Sequence, residues 1–130
     1  MNAPLTAPPA EAPPVIVTLL RRADFLRAAQ AGRHAAPGFL LQARDRADGD
    51  AAVRVGFTCS KKVGDAVTRN RAKRRLREIA RAVLPGRARA GWDYVLVGRP
   101  GATVARPYAD LLSDLVAALD RVHRARRGPA

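Results

Sequence analysis

The alternation of hydrophobic and polar positions is clearest along the middle of the chain. From Val53 to Ser60, apolar residues alternate with polar or small ones, which is the period of two expected of a half-buried strand. An apolar run at 38–44 precedes it and ends in a loop signal that contains Asp48-Gly49. We therefore predict two antiparallel strands joined by this loop. A third strand is predicted at 92–97, an apolar run bounded by glycine and proline.

Helices are predicted on either side of these strands. The first spans 20–31, with Thr18 or Asp24 as candidate N-cap and Gly32 placed where a C-cap would be. A basic helix lies within 60–84, and a last helix, from about 107 to 124, has an apolar stripe at helical spacing. The predicted order is helix, strand, strand, helix, strand, helix, with room for one extra short strand. This is an α+β protein, a small two-layer α/β sandwich in which helices cover a sheet.

The first fourteen residues differ in composition from the rest. They contain five of the ten prolines and four alanines, with one charged side chain. Such a segment cannot bury enough apolar surface to offset the entropy of ordering it. We therefore predict a disordered tail at 1–14 and a single domain at 15–130, since 130 residues are close to the usual size of one domain.

The charge of the chain narrows the function. Lysine and arginine number 24 against 11 acids, a net charge of +13, which suits nucleic acid or an anionic membrane surface. The single cysteine, Cys59, can form no internal disulfide, and the two histidines are far apart, so we expect a reducing compartment and no bound metal. Without an apolar run of about 18 residues or a secretory signal, we expect a cytoplasmic protein with no membrane partner.

The charge is concentrated at 61–77, where eight basic residues face one acid. At 100° per residue, Leu76 and Ile79 lie on a core-facing stripe of the basic helix. The same projection groups five polar residues beside that stripe, which we call the basic ridge: Asn70, Lys73, Arg74, Arg77 and Arg81. Arg71 lies further around the helix, outside both the stripe and the ridge. Arg69 falls toward the apolar side, so we expect it at or before the first turn, where it can leave the core.

The ridge has the chemistry of a phosphate-binding surface. Guanidinium groups bind phosphate oxygens through paired N–H donors, and Asn70 can both donate and accept. A helix that begins near Thr68 would add its free N–H groups, with Lys61 and Lys62 beside them. The alternatives are a solvated helix face, which usually mixes charges of both signs, and a membrane-binding helix, for which the apolar face is modest and lacks aromatic residues.

The sequence offers no catalytic set of its own. The acids form no close pair at an informative spacing, and no Ser/His/Asp or Cys/His arrangement is present. Cys59 alternates inward with Val55 and Phe57, so we interpret it as a core residue rather than a nucleophile. We therefore expect no catalytic residue and no metal ligand in this chain.

Residues 60–78, SKKVGDAVTRNRAKRRLRE, resemble the signature of bacterial ribonuclease P protein subunits. In that family an RNR motif follows a Ser-Lys-Lys segment and precedes further basic residues. The resemblance extends over about 18–127, through ADF at 23–25, GFLLQ at 38–42 and the late YVLV strand. It implies an α/β sandwich with a left-handed crossover between parallel strands, which the general handedness rule would not predict.

The resemblance also implies a role. The protein would bind the catalytic RNA of ribonuclease P, in a one-to-one complex, together with the 5′ leader of precursor tRNA, and would assist the cut that forms the mature 5′ end. The chemistry would belong to Mg²⁺ held by RNA, so the protein alone would bind no cofactor and cleave nothing. The alternative is a ribosomal or other structural RNA-binding protein with no role in catalysis. It would explain the charge but not the residues that flank the RNR motif.

Residues are carried over one by one on this resemblance. Phe25 matches an aromatic residue that lines the leader cleft between the first helix and the sheet. Two departures concern stacking, since Ala29 stands where a second aromatic is common and Gln42 where some members have tyrosine. The matching RNA-binding positions are Ser60, Lys61, Lys62, Arg69, Asn70, Arg71, Lys73, Arg74 and Arg77, to which the ridge adds Arg81.

Overall fold

A computed structural model describes residues 14–127, with side chains as far as Arg124. The predicted tail at 1–14 lies outside these residues except for Pro14. The strands are β1 (Ile16–Thr18), β2 (Gly32–Ala35), β3 (Phe39–Asp45), β4 (Val53–Thr58) and β5 (Trp92–Gly98). The helices are α1 (Arg22–Ala29), α2 (Ala66–Arg87), α3 (Ala102–Ala105) and α4 (Tyr108–Arg127), with a 3₁₀ turn at Lys61–Val63. The predicted α+β class is confirmed.

One mixed sheet contains all five strands in the order β1-β4-β5-β3-β2. β4 runs parallel to both β1 and β5, and β3 runs antiparallel to β5 and β2. The predicted antiparallel pairing of β3 with β4 is therefore wrong, because β5 lies between them. The residues of β5 are buried on both faces, with only Val97 half-buried, and such a strand belongs at the centre of a sheet.

The first helix is shorter than predicted, and its ends are different. It begins after Arg21, which provides no side-chain cap, and it ends at Ala29, with Gln30 as its C-cap. Asp24 is not a cap but a buried residue inside the helix. Gly32 is not a C-cap either, since it is the first residue of β2. At three and four residues, β1 and β2 are too short to show a period in the sequence.

Helices α2 and α4 pack on one face of the sheet and enclose the main core. The predicted stripe of α2 is confirmed, because Leu76, Ile79 and Ala80 are buried there. Trp92 and Tyr94 of β5 belong to the same core. The helix connects β4 to the parallel strand β5, so the basic ridge is part of the crossover between the two strands. The left-handedness of that crossover stays a prediction of the resemblance.

The opposite face of the sheet, the outer face, is covered by α1 alone. A small apolar cluster seats that helix, and Gly56 leaves room for the ring of Phe25. A Cβ atom at Gly56 would come within 2.5 Å of two ring carbons of Phe25, so a larger residue would displace the ring. The other members of the cluster are Leu19, Ala28, Val95 and Val97.

Candidate nucleic-acid interface

The segment before α2 is held by two local caps. The Ser60 hydroxyl accepts a hydrogen bond from the Lys62 backbone N–H at 3.3 Å, and the Asp65 carboxylate accepts one from the Thr68 N–H at 2.9 Å. The latter bond lowers the pKa of Asp65. These caps leave the side chains of Lys61 and Lys62 exposed on the same short loop.

The start of α2 therefore differs from the expectation. The helix begins at Ala66 rather than near Thr68, and the carboxylate of Asp65 occupies its N-terminus. An anion at this point would meet a negative charge and find the Thr68 N–H already bonded. The predicted start near Thr68 is thus wrong, and the capped N-terminus favours the side chains as the source of positive charge for an anion.

Arg69 lies in the first turn of α2, as expected from its place on the apolar side. It is half-buried, and its Nη1 donates a hydrogen bond to the Gly64 carbonyl at 2.9 Å. Arg69 therefore ties the loop to the helix while part of its guanidinium remains exposed. Asn70 and Arg71, the next two residues, are exposed.

The basic ridge carries four cations. Arg74, Arg77 and Arg81 are exposed and Lys73 is half-buried. Within residues 14–127, none of these four forms an ion pair with a carboxylate. A row of unneutralised cations on one helix face is an electrostatic footprint of nucleic-acid binding.

Not every arginine of α2 belongs to this surface. Arg75, on the opposite side of the helix, is half-buried and donates to the backbone carbonyl of Arg106, just before α4. Its Nε is buried without a partner. Arg75 therefore fixes α2 against the C-terminal part of the protein, whereas the ridge faces away from this contact.

On the outer face, strand register places the two predicted cleft residues in one row. Val95 of β5 is paired with Gly56 on one side and with Gln42 on the other. Paired residues of neighbouring strands share a face, so Phe25 stands over one end of this row and Gln42 lies two strands away, about 10 Å across. The structure thus puts both on one surface without direct contact.

A cluster of arginine and aspartate residues near this row was missed by sequence reasoning. Asp93 is fully buried in β5, and Arg54 holds it through two hydrogen bonds of 2.7 Å. Arg46 donates to the same carboxylate at 2.8 Å, and Arg44 lies 3.8 Å away. Arg54 also reaches Asp24 of α1 at 3.2 Å. We call these five residues the arginine–aspartate cluster.

The cluster is structural in character. Its hydrogen bonds to Asp93 raise the pKa of Arg54, and those to Asp93 and Asp48 raise the pKa of Arg46 against the opposing effect of burial. Arg46 also donates to the carbonyls of Asp50 and Ala52, which closes the loop between β3 and β4. Through Asp24 the cluster orients α1, and with it the neighbouring Phe25.

Two buried polar groups lie elsewhere. Cys59 is half-buried against the core, as predicted, and burial raises the pKa of its thiol. The Tyr94 hydroxyl accepts from the Arg89 N–H at 2.9 Å and lies 2.7 Å from Nε2 of His123.

Among residues 14–127, no group of three His, Cys, Asp or Glu side chains is placed to hold a metal. Over that same range, no helix has the length and apolar character needed to cross a membrane.

One exposed aromatic residue was also missed. Tyr108 is 42% exposed at the start of α4 and shares a shallow hollow with Arg81 and Glu78 of α2. Helical spacing carried no signal for this exposure, since it places Tyr108 on the same stripe as Leu112 and Leu115 of the last helix. An aromatic ring beside a ridge arginine offers a stacking surface at one end of the ridge.

Comparison with known proteins gives a consistent result. Residues 15–123 match a family model described as Ribonuclease P. The chain is similar to the ribonuclease P protein component of Ruegeria pomeroyi, with 60% identity over 109 residues, 83% of this chain and 87% of the relative. It is 56% identical over 108 residues to that of Paramagnetospirillum magneticum, covering 80% of each chain.

Solved structures are similar as well. The RNase P protein from Thermotoga maritima matches with a TM-score of 0.68 and 27% identity, over 81% of this chain and 96% of that one. A structure of the Staphylococcus aureus RNase P protein matches with a TM-score of 0.65 and 27% identity, over 80% and 93% of the two chains.

Proposed function

Since this chain belongs to the bacterial ribonuclease P protein family, and is thus a protein subunit of an RNA-processing endoribonuclease, we propose which of its surfaces meets which RNA. The basic ridge, together with Lys61, Lys62, Arg69 and Arg71, binds the catalytic RNA. The outer face between Phe25 and Gln42 binds the 5′ leader of precursor tRNA. The observation that carries this proposal is the set of ridge cations that no carboxylate of the described residues neutralises.

The ridge suits a folded RNA because its contacts are to phosphate. Four cations follow one face of α2 over two turns, and Asn70 adds a side chain that can donate and accept. Such a surface positions an RNA backbone without reading its sequence, and its affinity falls steeply with salt. The Ser60 hydroxyl contributes indirectly, since it holds the loop that presents Lys61 and Lys62.

The outer face suits a single strand. Phe25 offers one ring edge, and Gln42 replaces a second stacking residue with an amide that can hydrogen-bond a base. With one aromatic residue at this surface, leader binding rests on few stacking contacts. We therefore propose a weak preference for leader sequence.

We propose further that cleavage chemistry belongs to the RNA, with Mg²⁺ held by RNA and substrate. The donor set of this chain agrees, because the buried carboxylates Asp24, Asp93 and Asp114 are each bound by arginine. A carboxylate held in this way is a poor ligand for a hard cation. The complex has one protein per RNA and is placed in the cytoplasm, where precursor tRNA is made.

Reconstitution tests the proposal. The pure protein is expected to leave precursor tRNA intact, while adding it to a bacterial ribonuclease P RNA at low Mg²⁺ restores accurate removal of the leader. The product ends are read on a sequencing gel. A control with the Arg74→Ala, Arg77→Ala double variant should need more protein for the same rate. Cleavage by the protein alone, or no stimulation of the RNA, would overturn the proposal.

A further inference from the structure

A shallow hollow lies between α2 and the start of α4, at the far end of the basic ridge. Glu78, Arg81 and Ala82 of α2 line it together with Tyr108 of α4, and its volume is about 490 Å³. A volume of this order is in the range of small-ligand sites. Helices α2 and α4 cover the face of the sheet that α1 does not, so the hollow is separate from the surface proposed for the leader.

Tyr108 is an exposed member of an otherwise buried stripe. Helical spacing groups it with Leu112 and Leu115, of which Leu115 is fully buried in the main core. The Tyr108 side chain is nevertheless 42% exposed, because the stripe extends past the edge of the core at its first residue. Its ring lies against α2 instead and forms one wall of the hollow.

The backbone that carries this ring is fixed before any ligand binds. Arg75 of α2 donates to the carbonyl of Arg106, two residues before Tyr108. The Arg106 guanidinium in turn binds the Asp114 carboxylate of α4 at 2.7 and 3.1 Å. The start of α4 is therefore tied to α2 and to its own helix. A stacking surface that is ordered in advance loses little entropy when a flat ligand binds to it.

Glu78 is the one acid in the sequence of α2. Arg74, Arg75 and Arg81 lie three or four residues from it, which is the spacing at which ion pairs form along a helix. Among the residues that the structure describes, Glu78 forms no ion pair with any of them. Its carboxylate is exposed at the hollow, so both oxygens can accept hydrogen bonds from a ligand.

These groups match the chemistry of guanine. A carboxylate accepts hydrogen bonds but donates none, and two parallel N–H donors fit its two oxygens. Guanine presents two such donors side by side on its Watson–Crick edge, the N1–H and the 2-amino group, whereas each of the other three bases presents one donor beside an acceptor. The Tyr108 ring offers a stacking surface, and Arg81 offers a positive charge for the adjoining phosphate.

We propose that the hollow between α2 and α4 binds an unpaired guanine of the catalytic RNA. The base stacks on Tyr108 and donates from its Watson–Crick edge to Glu78, while Arg81 holds the adjoining phosphate. This inference rests on the proposed binding of that RNA by the basic ridge. It adds a site that reads a base, which phosphate contacts do not do.

The two tyrosines of the chain give a direct measurement, since Tyr94 is fully buried in the core. With the tyrosine rings of the full chain labelled with carbon-13, an oligouridylate that contains one guanosine should shift the Tyr108 ring signals through the ring current of the base. The Tyr94 signals should stay unchanged. The same oligomer with inosine, which lacks the 2-amino group, should bind about tenfold more weakly, the effect of breaking a bidentate contact.

A matched pair of variants tests the role of the carboxylate. Glu78→Gln and Asp110→Asn each remove one exposed negative charge near Tyr108, but Asp110 does not line the hollow. If the charge acted only through its electrostatic field, both variants would bind every oligomer more tightly and keep the same ratios. We expect Glu78→Gln to lose most of the preference for guanosine over inosine, and Asp110→Asn to retain it.

A second pair of variants tests stacking. Tyr108→Leu should weaken binding of the guanosine oligomer by about tenfold, the effect of losing one stacked base. Tyr108→Phe keeps the ring and should restore the affinity that Tyr108→Leu loses. Equal losses in the two variants would show that the ring does not stack on a base.

The source of the guanine is tested with the two natural RNAs. Tyr108→Leu and Glu78→Gln should weaken binding of the catalytic RNA and leave the affinity of the assembled enzyme for precursor tRNA unchanged. The reverse result would assign the guanine to the substrate and overturn the proposal.

The outcomes also separate this inference from the proposed function. Equal affinities for the guanosine and inosine oligomers, or shifts of the ridge amide signals without a shift of Tyr108, would overturn the guanine site and leave the ridge as a phosphate-binding surface. If no oligomer and no catalytic RNA shifted the ridge amide signals, the proposed function would fail together with the site.

Discussion

Two groups of arginines in this protein have the same side chain and opposite surroundings. In the arginine–aspartate cluster, Arg46 and Arg54 surround the buried carboxylate of Asp93; Arg46 is buried and Arg54 is half-buried. On the basic ridge, Arg74, Arg77 and Arg81 are exposed, and in the described part of the chain no carboxylate pairs with them. The first group stabilises the fold, and the second remains available for a polyanion.

The difference shows that the placement of acids decides what the basic residues do. Asp24 and Asp93 are far apart in sequence, yet both reach Arg54. On α2, by contrast, Asp65 is used to cap the helix. A count of charges along the chain treats both groups alike. Substitutions should distinguish them, because changes in the cluster should alter stability, whereas changes on the ridge should alter RNA binding and the local electrostatic potential.

The largest effect is expected from Asp93→Asn. The change leaves the buried Arg46 and the half-buried Arg54 beside a neutral amide, and breaking a buried ion pair from one side costs about 3–5 kcal/mol. Urea denaturation followed by circular dichroism measures the loss. Asp48→Asn, which removes an exposed partner of the same Arg46, serves as the control and should shift the midpoint little. Equal midpoints for the two variants would show that the cluster is not structural.

A smaller and different effect is expected on the ridge. Arg74→Ala removes one exposed, unpaired cation, so the slope of log affinity against log salt should fall by about one unit while the melting temperature stays constant. Arg69→Ala should lower both, because it also breaks the bond to Gly64. The measurement is a salt series of catalytic-RNA binding. Arg121→Ala, on α4, controls for net charge alone, and a matching slope change there would argue against a local interface.

The smallest effect concerns Cys59, which senses the ridge potential. Burial raises the pKa of its thiol, while the nearby positive charges of Lys73 and Arg69 lower it in part. Because a raised pKa leaves less thiolate at a given pH, the midpoint of the alkylation rate should lie at a higher pH than for a free cysteine. Lys73→Gln should move this midpoint higher still, whereas Lys62→Gln should not. Rates of iodoacetamide labelling across pH give the midpoints, and an unchanged midpoint in Lys73→Gln would place the ridge potential elsewhere.

The sequence predicted the parts of this site that depend on one helix. The core stripe and the ridge of α2 follow from helical periodicity alone, so Leu76 and Arg74 could be assigned to opposite environments. The arginine–aspartate cluster depends on strand register instead. Arg54 is opposite Asp93 because β5 pairs with β4 across 39 residues, and no local pattern contains that information.

Strand order was beyond the sequence for the same reason. The loop after Asp45 looks like a hairpin connection, yet β5 lies between β3 and β4 in the sheet. The apolar pattern of β5 predicts a strand but does not indicate which strands pair with it. Asp24 was assigned as a cap because aspartate is common there, whereas its actual partner is Arg54. In each case a tertiary contact overrode a local preference.

The central position of β5 has a consequence for how the protein is made. This strand begins only at Trp92 and pairs with both β3 and β4, so until it is synthesised nothing joins the β1–β4 pair to the β2–β3 pair. Loop closure over such separations slows folding. A nascent chain that ends before Trp92 therefore presents the basic helix with an incomplete sheet to pack against. We therefore expect the five-stranded sheet to form only late in synthesis, after β5 has been made.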